Sequence, residues 1–467
     1  LHTAVLFICI FLFVRIAVVE PFGVPTGSMA PTLIGNHREE PCPRCGHPVR
    51  VGNPAKGQPD PFADVCCPNC RKRLNLATAR EIPGDRLLVD KNVFNARSPR
   101  RWEVAVFRCP VDPTVPYVKR VGGLPGEAVQ LIGGDLFADG VLQRKTLAQL
   151  REVAVPVFDL NHAPPDGWGL RWLIEPVADH PRLPTDPTTV RPRPADAAVL
   201  RENALFLDAT SHEQPTLGLT YRHYDLDRDT ERPITDWLAY NGRPPSNRDA
   251  PVHDFLFTCD LEILAGEGTL ACRLGDGADT VRVEFPIGPD GKPAGVQLSR
   301  DGGDTPTVAY GLRLEPGRTY RVEFAFADRR ASLALDGSEV VPAIDLPADA
   351  ALVARRSPVS RPLQLGVRGV SVALRNLKLY RDAHYRAVGK SGCDAPYQLA
   401  ADEYFMLGDN STNSSDSREW AVPGVPERDF IGKPFLIHQP LKAARVTLNG
   451  QVRTFQTVDW SRLRWLR

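Results

Sequence analysis

The chain has 467 residues, about three times the usual domain length, so two or three separately cored domains are expected rather than one compact module. Its 42% hydrophobic and 24% charged residues are ordinary for globular protein and exclude wholesale disorder. Lys+Arg 57 against Asp+Glu 56 gives a formal charge of +1, so there is no basic surplus for a phosphate backbone and no nucleic-acid partner is expected.

Pro 44 and Gly 37, with only two Met and many β-branched residues, favour short strands and turns, so the predicted fold class is mainly β. The first element is apolar: Ala4 to Val14 carries no polar side chain, Arg15 interrupts, and Ile16 to Val19 resumes before Glu20-Pro21. Residues 1–19 read as a transmembrane anchor with Arg15 snorkelling near one end. The alternative is a cleavable signal peptide, but no Lys or Arg precedes the apolar run and no Ala-x-Ala follows it. Alternating runs then predict strands at Arg86 to Val89, Val104 to Arg108, Tyr117 to Val121 and Val129 to Ile132. A polar insertion within Asn36 to Arg80 carries Cys42, Cys45, Cys66, Cys67 and Cys70.

From about Arg151 the pattern changes. Glu152 to Leu160, Asp254 to Leu264, Thr269 to Leu274, Thr280 to Phe285, Tyr320 to Ala325, Ala331 to Leu335 and Pro362 to Tyr380 are strand-like. With turns at Asp301-Gly302-Gly303 and Asp336-Gly337, they predict a β-sandwich (jelly roll). Pro181 to Pro194 reads as an extended loop. After Tyr385 short strands return, and a basic, Trp-bearing tail follows. The expected organisation is an anchor (1–19), a β catalytic domain in three parts (20–37, 81–150, 385–441), a ribbon insert (38–80), a sandwich insert (151–384) and a tail (442–467).

Three segments could carry chemistry. Pro25-Thr26-Gly27-Ser28-Met29-Ala30-Pro31-Thr32-Leu33 presents Ser28 just beyond the anchor, with Gly27 permitting a tight backbone and Pro31 stopping a helix. By itself Ser28 reads as a turn residue before it reads as a nucleophile, and it is not a Gly-x-Ser-x-Gly elbow. Tyr117-Val118-Lys119-Arg120-Val121 places Lys119 and Arg120 on opposite strand faces, so one of them can be buried. A desolvated lysine amine can lose its proton near neutrality and act as a base, whereas a solvated edge-strand lysine cannot. Gly408 to Arg418, rich in Asn, Ser and Asp, can form a rigid hydrogen-bonded loop, or an Asx-rich surface turn with glycosylation sequons.

Together and in this order, the three segments resemble bacterial type I signal peptidase. Gly84-Asp85-Arg86 matches a further family box, and Glu20-Pro21-Phe22 and Phe430-Ile431-Gly432-Lys433 extend the match. The resemblance implies that Ser28 is the nucleophile, Lys119 the general base and Ser414 the serine that hydrogen-bonds the lysine. It implies Asp416 and Arg418 as a structural ion pair, with Asp409 and Arg120 as further support. It also implies an oxyanion site made by the Ser28 N–H and the hydroxyl of Thr26, where relatives more often have serine. Ser411-Thr412 departs from the family, which usually carries Arg and a polar residue there. The implied activity is metal-free cleavage of signal peptides from exported preproteins, at the cytoplasmic membrane, with the catalytic domain extracytoplasmic and the lipid bilayer as a partner.

Cys42-Pro43-Arg44-Cys45 and Cys67-Pro68-Asn69-Cys70 form two Cys-x-x-Cys knuckles close to the spacing of a four-cysteine zinc ribbon. Structural zinc on Cys42, Cys45, Cys67 and Cys70 is one reading; disulfides, with Cys66 adjacent, are the other. The sandwich resembles concanavalin/laminin-G-like jelly rolls through Tyr320 to Phe324 leading to Leu335-Asp336-Gly337, and through Leu365 to Tyr380. That implies a carbohydrate or protein ligand without identifying one. Cys259 and Cys272 could pair across neighbouring strands, but read first as core residues. Two other functions fit less well: a self-cleaving Ser/Lys repressor, which needs a DNA-binding head, and a catalytically silent membrane scaffold.

Overall fold

The computed structural model describes residues 18–54, 60–166, 168–177, 198–201, 203–210, 216–288, 295–303, 306–448 and 451–466. The predicted anchor falls outside them except at its end, where Val19 opens the strand Val19–Gly23 and the boundary moves back accordingly. Among the described residues no helix is long and apolar enough to cross a membrane. The Pro181 to Pro194 stretch also lies outside the described residues.

The predicted β class is observed, with few helices. The central sheet has eight strands, seven of them in the order Val19–Gly23, Arg86–Asp90, Phe430–Ile437, Val104–Cys109, Asp112–Gly123, Glu403–Leu407 and Gly424–Pro426. The eighth, Arg464–Trp465, pairs with Phe430–Ile437. Strands far apart in the chain are therefore neighbours: the ribbon insertion falls between Val19–Gly23 and Arg86–Asp90 of this sheet, and the sandwich insertion between Val141–Leu142 and Tyr397–Gln398 of a second, four-stranded sheet. Val89, Val104, Val106 and Ile437 alternate inward onto Met29 and Leu33, which fixes the turn carrying Ser28 onto the sheet.

The sequence places a strand at Glu152 to Leu160, but Leu147–Val153 is a helix and the strand begins at Val155. Thr146 and Gln149 form a reciprocal capping box, and Leu147, Leu150 and Val153 bury one face. That helical periodicity begins before Glu152, so a strand reading started there misses it.

In the large insertion, Asp254 to Leu264 and Thr269 to Leu274 are one strand, Phe255–Gly275, and not two. Its first part pairs with Thr319–Ala327 and its last with Thr280–Ile287, while Leu363–Arg381 accompanies both. Register shifts between 258 and 269 bend it where a turn is expected. Gly266, at φ 90°, packs against the Gly369 backbone, where a side chain would collide. Phe257, Ile263, Phe285, Phe324 and Leu374 belong to one extensive core, which also holds Cys259 and Cys272 as free thiols.

The ribbon has a much smaller core, made of Val49, Val51, Phe62, Val65, Leu76 and the knuckle cysteines. It packs on the sandwich through the Asn69 amide, which donates to His162 O at 2.7 Å and accepts from Asp159 N at 3.0 Å.

Candidate active site

Ser28 sits on a turn pinned at both ends. Asp85 N donates to Ile34 O at 2.8 Å, Ile34 N donates to Asp85 Oδ2 at 2.8 Å, and Val24 N donates to Asp85 O at 2.9 Å. Met29 and Ala30 beside Ser28 are wholly buried, while Ser28 is half-buried and Thr26 is exposed. Gly27 is not in the left-handed region. It is needed for space, since a Cβ there would run into the Tyr240 ring. Conformational freedom is what the sequence proposes at Gly27; close approach by a distant residue is what operates.

Lys119 lies on Asp112–Gly123 opposite Ala105, and its Nζ is 2.6 Å from Ser28 Oγ. Only 4% of the residue is exposed. Burial pushes its pKa down from 10.5 to about 8, although Asp416 pulls the other way. Arg120 points to the opposite face, as strand alternation requires, and donates bidentately to Asp409 at 2.8 Å and 2.8 Å. Burial alone would lower Arg120, but Asp409 outweighs it and raises the guanidinium.

The 408–418 loop is organised by Asp416, fully buried. It accepts from Gly408 N at 2.9 Å, from Ser414 Oγ at 2.8 Å, and from Arg418 Nε and Nη2 at 2.8 and 2.7 Å. The family resemblance assigns Ser414 to the lysine. In this chain its hydroxyl goes to Asp416, because Asp416 stands two residues away on the same loop and offers a charged acceptor. A side chain at Gly408 would collide with Ser414 and with the Ser28 carbonyl, so the loop lies directly against the Ser28 turn.

Asn410 makes that contact explicit. Its N–H donates to Ser28 O at 3.0 Å and its Nδ2 to Gly27 O at 2.9 Å. Asn410 exchanges two amide hydrogen bonds with Asn241, at 2.7 and 3.0 Å, and Asn241 Nδ2 also reaches Thr412 Oγ1 at 2.8 Å. The other departure from the family, Ser411, accepts from Arg418 Nη1 at 2.7 Å and from Arg386 N at 2.8 Å. Tyr240 and Asn241 belong to the sandwich insertion, and sequence reasoning gives them no role. No local signal marks them: Asn241 and Asn410 are 169 positions apart.

The four knuckle sulfurs also converge, all within 4.8 Å of one another, with Cys42 to Cys70 at 3.5 Å and Cys45 to Cys67 at 3.7 Å. A tetrahedral zinc with bonds of about 2.3 Å needs sulfurs about 3.8 Å apart, so the donor set fits. All four thiols are free, and these separations exceed the roughly 2.05 Å of a disulfide. Gly46 and Arg71 hold equivalent left-handed positions just after their knuckles, at φ 71° and 67°.

The family that this chain matches is one of serine peptidases. More particularly, the model described as "Signal peptidase, peptidase S26" matches residues 77–162 and 363–438, about a third of the chain, in two parts separated by most of the large insertion. Lys119 lies in the first matched part and Asn410 to Arg418 in the second, while Ser28 precedes both. Signal peptidase I of Rickettsia typhi is 35% identical over 130 residues, which are 28% of this chain and 39% of that protein. The Rickettsia massiliae enzyme is 34% identical over 130 residues, covering 28% and 38%. The chain thus spans about two-fifths of the length of these curated relatives. A Bacillus subtilis carbohydrate binding module, CBM66, aligns over 35% of this chain and 81% of its own, at 12% identity and TM-score 0.23, a likeness too slight to fix fold or ligand.

Proposed function

We propose that the chain is a membrane-anchored serine endopeptidase that removes signal peptides from exported preproteins through a Ser28/Lys119 dyad. The observation that carries this reading is the Lys119 amine, buried, lowered to about 8, and 2.6 Å from Ser28 Oγ. At that pKa a useful fraction of the amine is unprotonated at neutral pH and can accept the serine proton. Ser28 Oγ attacks the scissile carbonyl, and Lys119 passes the proton to the leaving amine. Water then cleaves the acyl-enzyme with the same base. The Ser28 N–H and the exposed Thr26 hydroxyl meet the oxyanion. Asp416–Arg418 and Arg120–Asp409 hold the two flanking elements, and Asn241 acts as a positioning residue through Asn410.

In this reading residues 1–19 form the anchor up to the start of the first strand, the catalytic parts 20–37, 81–150 and 385–441 face the extracytoplasmic side, and 442–467 is a tail. The bilayer brings enzyme and preprotein together. The ribbon 38–80 takes one zinc on Cys42, Cys45, Cys67 and Cys70. The metal supplies a folding centre for a segment with little apolar core, and catalysis uses none. The sandwich 151–384 is an accessory module for a carbohydrate or protein ligand; nucleic acid has no part.

The test incubates detergent-solubilised protein with a preprotein and compares wild type with Ser28→Ala and Lys119→Ala. Cleavage is expected only from wild type, and persistence in both variants overturns the dyad. Metal analysis of the purified protein is expected to return one zinc per chain, lost in Cys42→Ser; a metal-free, unchanged ribbon refutes the zinc assignment.

A further inference from the structure

A cavity of about 250 Å³ lies where the Ser28 turn, the ribbon, the sandwich and the C-terminal tail meet. Arg50, Arg71, Arg381, Arg462 and Arg464 line it, against a single carboxylate, Glu152. Two of the arginines are answered elsewhere: Arg50 by Glu39 and by Asp459 at 2.9 Å, and Arg462 by Asp85 at 2.5 Å. The other three have no carboxylate within ion-pair distance among the described residues.

Arg71 lies over the Trp237 ring at 4.3 Å and reaches His223 Nε2 at 2.9 Å, an imidazole that burial keeps neutral. Its buried Nη1 has no hydrogen-bond partner. Among the described residues Arg381 donates to the carbonyls of Asp382, Asp236 and Trp237, at 2.9, 2.9 and 3.3 Å. Arg464 donates to Thr32 O at 3.2 Å. Close to Arg71, Arg171 is wholly buried and none of its guanidinium nitrogens has an acceptor in hydrogen-bonding geometry among the described residues. Burial lowers Arg464, and lowers Arg381 to about 10 against the opposing pull of Asp236 and Asp382.

Burying guanidinium groups without a counter-charge is costly, and nothing in the dyad chemistry requires these. A carboxylate ligand would bring two oxygens of the kind Glu152 already provides. A phosphate group brings more acceptors and more charge, and its oxygens match several guanidinium forks at once. We propose that this cavity binds a phosphate-class oxyanion, held by Arg71, Arg381 and Arg464. The source is either free phosphate or the phosphate of a lipid headgroup.

The experiment titrates the full chain in detergent, by calorimetry, with inorganic phosphate and separately with micelle-free dihexanoyl phosphatidylglycerol. Saturable binding is expected for at least one probe, weakened about tenfold in Arg71→Gln and in Arg464→Gln. Arg428→Gln, at an exposed ion pair with Asp402, is expected to bind as wild type does. Ala154→Phe fills the cavity while leaving every arginine in place, and is expected to abolish binding; it decides the matter if an arginine variant fails to fold. Phosphate binding identifies a free anion, and binding of the lipid alone identifies a headgroup. Binding of neither probe, or equal binding by wild type and the Ala154→Phe variant, overturns the proposal.

Discussion

Two turns from separate parts of the chain grip the Ser28 loop, and they do so with unequal directness. The 408–418 turn lies within the matched signal peptidase segments, and its Asn410 bonds the Gly27 and Ser28 carbonyls itself. The turn bearing Tyr240 and Asn241 lies in the gap between those segments. It touches Gly27 with a ring and otherwise works through Asn410 and Thr412. The contrast separates two kinds of contribution: the sheet and its loops supply the proposed dyad and its immediate supports, and the insertion restrains the support.

Five measurements break or sharpen that contrast, beginning with the largest effect. Ser28→Ala or Lys119→Ala should lower preprotein cleavage by about a thousandfold or more with little change in melting temperature, since each removes a reacting group. With the neutral Lys119 amine as the proposed base, kcat/KM of wild type should rise with pH through about 8 and level off above it. A limb near 10.5 would mean that the amine is solvated in the working enzyme.

Next, Asp416→Ala strands Arg418 inside the protein and should cost about 3–5 kcal/mol in urea unfolding, with activity lost alongside. A loss below about 1 kcal/mol would show that the loop stands without its ion pair. Asn410→Ala removes the direct side-chain bond to Gly27 O and the amide bonds to Asn241, leaving the backbone bond to Ser28 O, and should lower kcat by about thirtyfold, corresponding to about two hydrogen bonds.

The smallest effect is expected for Asn241→Ala: about fivefold in kcat, with KM little changed and the pH limb still near 8. Added to Asn410→Ala it should cost almost nothing more, because the two amides act as one unit. Additive losses would show that the insertion reaches the site by another route.

The Ser28, Lys119 and 408–418 segments were legible because their chemistry is local. A glycine-flanked serine, a lysine on an apolar strand and a cluster of short polar side chains each restrict what the backbone nearby can do. The pairing of two Cys-x-x-Cys knuckles was legible for the same reason. The strand pattern around the site also emerged, since alternation reports burial on one face. The continuity of Phe255–Gly275 did not, because Gly266 and Gly268 look like a turn until the neighbouring Gly369 backbone packs against them. Nor did the choice of Ser414 for Asp416, which depends on where three side chains meet.

Residue order alone determined which groups could react, which cysteines could gather, and that the chain would fold mainly as β structure. Only the tertiary structure decided which lysine loses its water, which asparagine steadies the serine, and that arginines from three segments share one cavity. Those outcomes depend on burial and on contacts between positions hundreds of residues apart, and both exist only once the sheet has closed around the insertions.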